Sequence, residues 1–473
     1  MPDETKLPES KIPDPRVMAA IVASALFMQN LDGTVVATAL PAMARSLGEP
    51  PVTMGVAITT YLVALTVFIP LSGWVADRFG AKQVFMAAIA TFTVASAFCG
   101  LADNLAEMVA ARALQGLGGA MMVPVGRLLL LRRIRKEELL SVTTWLTMPG
   151  LLGPLLGPPV GGLLTDLISW RAVFWINIPV GMLGLLLVWR IIPALPPSLP
   201  PPPDLRGLTL VGTALAALMA AFETLGRGLL PPGVPEVLLA AGFGLSALAV
   251  WHCRRTPNPA LDFSLLAIPS FRAPHTAGLV FRIGAGAVPF LVPLTLQLGF
   301  GASAAQSGMV SFATALGAFA MKPMAQFALR RFGFRNVMIW NAVCAALTIA
   351  ACAAFRPGWP MAAVFVVLLL GGLFRSLHFT TLNTLAYADV PQEKLSAATS
   401  LYSTAQQLPL ALGVVVASAS LQVSMAFAGR DAAAMPDFTA AFLVGALLTL
   451  LAAPLSVSLP RDAGEGIVSG RRR

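Results

Sequence analysis

The sequence predicts an all-α integral membrane protein of roughly fourteen spans, and three observations lead there. Apolar stretches of about 18 or more residues recur to position 459, and each can cross a hydrocarbon core of roughly 30 Å. Hydrophobic residues make up 57% of the chain and charged residues only 11%, where a soluble domain carries about 25%. The mean hydropathy is +0.78. A chain of 473 residues with so little polar surface is not a soluble enzyme or a soluble binding module.

In order, the expected spans are 17–40, 52–76, 84–102, 105–131, 141–164 and 170–190, then 207–227 and 234–252, then 272–299, 304–329, 335–355, 360–387, 396–422 and 437–459. They divide the chain into a tail (1–16), a six-helix bundle (17–192), a Pro-rich linker (193–206) and an inserted pair of helices (207–252). A second linker (253–271), a second six-helix bundle (272–459) and a tail (460–473) follow. Two six-helix bundles plus two extra helices, an even count, put both termini on the same side. The run Pro193–Pro203 reads as a stiff extended linker.

Lys and Arg decide which side. With the N-terminus inside, the cytoplasmic segments hold Arg78, Lys82, Arg132, Arg133, Arg135, Lys136, Arg254, Arg255, Arg330, Arg331, Arg335 and the Arg471–Arg473 tail. The opposite loops hold only Arg45, Arg171, Arg227, Arg356 and Arg430. This asymmetry predicts cytoplasmic termini in a bacterial-type cytoplasmic (inner) membrane. It also accounts for the net charge of +10 without nucleic acid as a partner. Cys99, Cys253, Cys344 and Cys352 lie in or beside apolar spans without metal-ligand spacing, so no metal site is expected. The first apolar stretch is long, contains Asp32 and lacks a small-residue cleavage site, which argues against a cleaved signal peptide.

The chain also repeats. Asp77-Arg78-Phe79-Gly80-Ala81-Lys82 lines up with Arg330-Arg331-Phe332-Gly333-Phe334-Arg335, and Glu137-Glu138-Leu139 lines up with Glu393-Lys394-Leu395. The period is about 255 residues, so the bundles are two copies of one unit. Parallel halves of this kind place a substrate site at their interface near the bilayer midplane.

Four stretches carry a resemblance to a known family. The run from Gly73 through Asp77, Arg78 and Gly80 to Lys82 resembles the loop signature of the major facilitator superfamily. Leu31-Asp32-Gly33-Thr34-Val35-Val36 through Pro41 resembles the first-helix signature of its fourteen-helix drug:proton antiporters. Arg112-Ala113-Leu114-Gln115-Gly116-Leu117-Gly118-Gly119 is similar to the fourth-helix pattern. Gly153, Pro154, Gly157, Pro158, Gly161 and Gly162, followed by Trp170-Arg171 and Asn177-Ile178-Pro179, resemble the antiporter signature. The resemblance covers nearly the whole chain and is nearest the MdtD-type branch. Val75 and Ala81 depart from the loop pattern, the latter replacing a usual basic residue. It implies a proton-coupled antiporter that exports small molecules or drugs by alternating access. No cofactor is implied beyond the proton motive force; the partners are protons, substrate and lipid, and the working unit is a monomer.

Asp32 is the first candidate for proton coupling. A charged carboxylate inside a span is costly unless it is paired or protonated; desolvation raises its pKa and a nearby cation lowers it. By the expected spans Asp32 lies roughly 12 Å, and Arg112 roughly 10 Å, from the same membrane surface, so the two meet at one depth. A proton switch and a static ion pair both remain open, and Glu223 in the first inserted helix is a rival acid.

Asp77 can accept from backbone N–H groups at a helix start, where its charge suits the helix dipole, and the Gly73–Lys82 cluster can so latch the two halves together in the outward-open state. A merely topogenic basic loop is the plainer alternative. Gly153, Gly157 and Gly161 form a smooth face for close helix contact, loosened by the intervening prolines; closure against leak, implied by the resemblance, stands beside simple packing.

Two further cations, Arg282 and Arg375, sit well inside spans and mark a substrate or ion path. In the family's fold their helices line the cavity. Guanidinium groups bind carboxylates bidentately, so an organic anion or its metal chelate is the alternative cargo. Gln29, Gln115, Asn383 and His378 could add hydrogen bonds, with His378 reading equally as a quietly bonded helix residue; Lys322, towards the inner end of its span, could snorkel and is given no role. From another class, a non-transporting sensor would need a soluble output domain, and the longest non-spanning stretch is too short for one. The chain lacks Gly-x-Ser-x-Gly, His-Glu-x-x-His and Gly-Lys-Ser/Thr motifs, so neither hydrolysis nor ATP-driven pumping is expected.

Overall fold

The computed structural model describes residues 14–467 apart from 50–53, 55, 135–137, 194–201, 225–230, 232, 303, 431–432, 462 and 465–466. Arg135, Lys136, Glu137, Arg227, most of the Pro-rich linker and the Arg471–Arg473 tail therefore lie outside the described residues, as do the side chains of Glu223, Pro154, Pro158 and Pro159.

Every described element is helical. The first unit contains α1 (Pro15–Leu47), α2 (Val56–Phe68), which runs through a 3-10 turn into α3 (Ser72–Phe79), then α4 (Ala81–Leu101), α5 (Leu105–Leu131), α6 (Leu139–Leu167), α7 (Ala172–Trp175) and α8 (Asn177–Ile191). The second contains α9 (Leu205–Thr224), α10 (Val234–Arg255), α11 (Pro269–Leu294), α12 (Ala304–Phe332), α13 (Phe334–Ala353), α14 (Met361–Leu385), α15 (Leu395–Phe427) and α16 (Met435–Ser456). The described part of each expected span falls mainly on one of these helices or on a consecutive pair. Among the described residues, 11 helical stretches are long and apolar enough to cross a membrane on their own. The chain is a multi-pass membrane protein.

Backbone chemistry sets the ends. Asp14 caps α1 by accepting from the Arg16 N–H at 2.8 Å, with Pro15 in the first turn, where no N–H is needed. Asn104 caps α5, its Oδ1 accepting from the Glu107 N–H at 2.9 Å, while Glu107 Oε2 accepts from the Asp103 N–H at 2.9 Å. The repeat appears as one backbone device used twice. Gly80 (φ 88°) joins α3 to α4 and Gly333 (φ 74°) joins α12 to α13, left-handed conformations that a side chain would strain.

The chain groups into two compact units. One comprises Met1–Pro203 with the short stretch Leu395–Ser400; the other comprises Asp204–Lys394 and Leu401–Arg473, so the inserted pair α9 and α10 groups with the second. The first unit has a core around Val35, Met43, Met108, Trp170 and Phe174, and the second around Leu291, Phe355, Phe438 and Phe442. Large apolar side chains such as Phe98, Trp189, Phe243, Trp340 and Phe427 point outwards, as hydrocarbon solvent permits.

The inserted pair is clasped at one end. Asp204 accepts from the Gly207 N–H at 2.8 Å, from His252 Nε2 at 2.9 Å and from the Ala260 N–H at 3.3 Å, tying α9, α10 and the following loop. Burial alone would raise its pKa, but these hydrogen bonds prevail and hold the carboxyl below its ordinary value.

Candidate functional site

Two buried charge centres stand out, one in each unit. In the first, Asp32 on α1 and Arg112 on α5 form an ion pair at 2.6 Å, with neither side chain exposed. The paired oxygen is Asp32 Oδ2. The other, Oδ1, accepts from Gln115 Nε2 at 2.9 Å and from Asn177 Nδ2 at 3.0 Å. Ser96 Oγ on α4 accepts from both amides, at 2.7 Å from Gln115 and 3.2 Å from Asn177. Arg112 Nη1 also donates to Gln115 Oε1 at 2.5 Å, its Nε donates to the Ala57 carbonyl at 3.0 Å, and its guanidinium lies 4.4 Å from the centre of the Tyr61 ring.

Helical geometry explains the convergence. Arg112 and Gln115 are three residues apart and share one face of α5, and Asn177 stands at the start of α8. A carboxylate taken out of water needs a cation and hydrogen bonds to its remaining lone pairs, and Asp32 has both. Chemically, the centre holds one exchangeable proton position against one permanent cation.

The glycine stripe of α6 packs against the flanks of Asp32. A Cβ on Gly153 would lie 2.8 Å from Leu31 N, and one on Gly157 would meet Thr34 Cβ at 2.6 Å. Asn30 Nδ2 donates to the Gly150 carbonyl at 3.1 Å. Gly161 is buried, whereas Gly162 has open space where a Cβ would go.

The expected latch residues lie in the same unit. Asp77 lies in the last turn of α3, not at a helix start of its own, and pairs with Arg132, the residue that closes α5. Lys82 Nζ donates to the Trp189 carbonyl at 2.8 Å, near the end of α8, and Arg78 is exposed. A Cβ on Gly73 would lie 2.8 Å from the Ser396 carbonyl oxygen.

The second unit holds the other centre. Arg282 on α11 is buried; its Nη2 donates to Tyr402 Oη at 2.9 Å, and Tyr402 in turn donates to Asn383 Oδ1 at 2.8 Å. His378 on α14 stacks on Phe281 with centroids 3.6 Å apart, and both its ring nitrogens are buried without a hydrogen-bond partner among the described residues. Arg375 is buried, with its Nη2 equally unpartnered, and makes no described contact with the Arg282 cluster. Neither arginine has a carboxylate partner among the described residues.

Gln115, expected to touch substrate, lies in the Asp32 centre with all of its amide engaged. Lys322 does not snorkel: it is 4% exposed, and its Nζ donates to Thr380 Oγ1 at 2.9 Å. His378 is placed by aromatic stacking rather than by hydrogen bonds. Gln29 lies half-buried about one turn before Asp32 on α1. Sequence reasoning missed Ser96, Tyr61 and the part played by Asn177. Asn177 was visible only as a member of the Asn-Ile-Pro run, and Ser96 gave no signal.

The family described as Major Facilitator Superfamily matches residues 22–251 and 275–471. The chain is similar to "Putative multidrug resistance protein MdtD" of Cronobacter sakazakii, 37% identical over 459 residues and 96% of each chain. It is 36% identical over 473 residues to the protein of that name in Escherichia coli strain SE11, covering 99% of each. Among solved structures, the human organic anion transporter MFSD10 (TETRAN) shares the fold at TM-score 0.67 and 17% identity, over 94% of this chain and 100% of that one. The proton:xylose symporter XylE bound to 6-bromo-6-deoxy-D-glucose does so at TM-score 0.65 and 14% identity, over 95% of this chain and 96% of that one.

Proposed function

The chain belongs to the major facilitator superfamily and is a membrane transporter; on that premise we propose that it is a proton-coupled antiporter that exports small molecules by alternating access. The observation that carries the reading is the fully buried Asp32–Arg112 pair. Proton uptake by Asp32 removes one of two charges that neutralise each other, frees Arg112 and alters the contacts holding α1, α4, α5 and α8 together. Release of that proton restores them. A substrate that binds better to one of these two states is thereby linked to the proton gradient.

Under this reading the Gly73–Lys82 segment, with Asp77 held by Arg132, stabilises one of the alternating states. The Gly153/Gly157 contact with α1 lets the helix carrying Asp32 close against α6 without leak. The protein works as a monomer in a bacterial cytoplasmic membrane with both termini inside. The MdtD relatives support export of drug-like solutes. Reconstituted into proteoliposomes, the wild type is expected to move dyes against an imposed pH gradient and Asp32→Asn to lose that drive. Gradient-independent dye movement in both would contradict the proposal.

A second reading of the cargo is favoured by Arg282 and Arg375, two buried cations without a carboxylate among the described residues. A small organic anion or its metal chelate would supply the missing charge. Loss of carboxylate efflux in Arg282→Ala, with dye efflux retained, would support this reading; equal loss of both would count against it.

A further inference from the structure

We propose that the Asn177 carboxamide follows the proton on Asp32, donating to the charged carboxylate and, turned over, accepting from the neutral acid. The inference rests on the proton-coupling reading above and adds a positioning residue to it.

An ionised carboxylate only accepts, and Asp32 takes one bond from Arg112 on Oδ2 and two amide bonds on Oδ1. Protonation replaces one lone pair with an O–H donor. One neighbour must then stop donating, and the new O–H needs an acceptor, because a buried donor left unpaired is costly.

The three neighbours differ in their ability to change. Arg112 has no acceptor atom. Gln115 is held at both ends: its Oε1 accepts from Arg112 Nη1 at 2.5 Å and its Nε2 donates to Ser96 Oγ at 2.7 Å. Turning it over would aim N–H groups at the guanidinium. Asn177 is held at one end only. Its Nδ2 donates to Asp32 and Ser96, while its Oδ1 is buried without a partner among the described residues.

A half-turn about the Cβ–Cγ bond brings Oδ1 to the place of Nδ2. There it accepts from the protonated Asp32 and from the hydroxyl of Ser96, which in the charged state receives two N–H groups. The turn exchanges one unpartnered amide end for the other, so the penalty is similar in both states and the switch stays near balance. Asn177 also stands where the chain passes from α7 to α8, so the turn bears on a helix junction.

The titratable and charged groups that face Asp32 are Arg112 on α5, Tyr61 on α2 and Cys99 on α4. On α6 the residues packed against its flanks are Gly153 and Gly157. Arg112 is a permanent cation, and a phenol and a thiol are intrinsically far weaker acids than a carboxyl, so the moving proton is assigned to Asp32.

The test is infrared difference spectroscopy of the full-length protein in lipid, titrated between about pH 5 and 9. The carboxylic C=O band that disappears in Asp32→Asn is that of Asp32. Asn177→Leu, which has similar bulk and no polar atom, is expected to move that band to higher frequency. It should also raise the titration midpoint by about one pH unit, since a hydrogen bond to the charged form is worth more than one to the neutral form. Asn177→Gln, which keeps the carboxamide, should stay closer to wild type. In unmutated protein carrying 13C-carboxamide asparagine, one side-chain amide band should change with the same midpoint, a readout that needs no variant. An unmoved Asp32 band in Asn177→Leu, or amide bands indifferent to pH, overturns the inference and leaves proton coupling standing. A wild type with no band that depends on Asp32 overturns both.

Discussion

Asp32 and Arg112, 80 residues apart in the chain, meet at 2.6 Å with both side chains out of reach of solvent. Such a pair has an asymmetric energetics. Breaking it strands a charge, whereas replacing both members with apolar residues is far less costly.

Arg112→Leu alone is therefore expected to destabilise the first unit by about 3–5 kcal/mol. Asp32→Leu/Arg112→Leu should recover much of that loss while remaining inactive in proton-driven export. Thermal unfolding in detergent, beside a flux assay on the same preparations, checks both halves. A double variant that transports with a proton gradient would contradict the role given to the pair.

Gly153 and Gly162 stand in one stripe but have different surroundings. A methyl at Gly153 meets the α1 backbone at 2.8 Å, whereas one at Gly162 meets nothing within 4 Å. Gly153→Ala should lower stability by about 1–3 kcal/mol and slow export, and Gly162→Ala should do neither. Equal effects at the two positions would remove close packing of α1 on α6 from the explanation.

Asp204 offers a prediction in pH. Its carboxyl is held below the ordinary value, so its contribution to stability is complete above the unfolded-state pKa and is lost as the pH falls through the lowered folded-state value. Compared across pH, the wild type should be more stable than Asp204→Asn near neutrality, and the two curves should converge in acid. Parallel curves would show that the clasp on α9 and α10 contributes nothing through this charge.

The sequence disclosed depth better than direction. Span counting put Asp32 and Arg112 at one level, and the pair forms; the aligned Gly80 and Gly333 recur as the same left-handed junction. Rotation about a helix axis is not written in hydropathy, however. Gln115 is one turn from Arg112, and both interior faces of a buried helix look alike in composition, so its hydrogen bond to Asp32 was not readable. Asn177 lies 145 residues from Asp32, and Ser96 is one small polar residue in an apolar helix; only three-dimensional packing joins them. Lys322, towards a span end, has the reach to snorkel, but the hydroxyl of Thr380, 58 residues away, receives it in the interior.

Proton release on substrate binding tests the central claim most directly. Substrate added to purified protein in weakly buffered detergent solution, over a series of pH values, should release protons from the wild type, and Asp32→Asn should bind the same substrate and release none. Equal proton release from both proteins, or none from a wild type that binds, would contradict the assignment of Asp32 as the coupling acid.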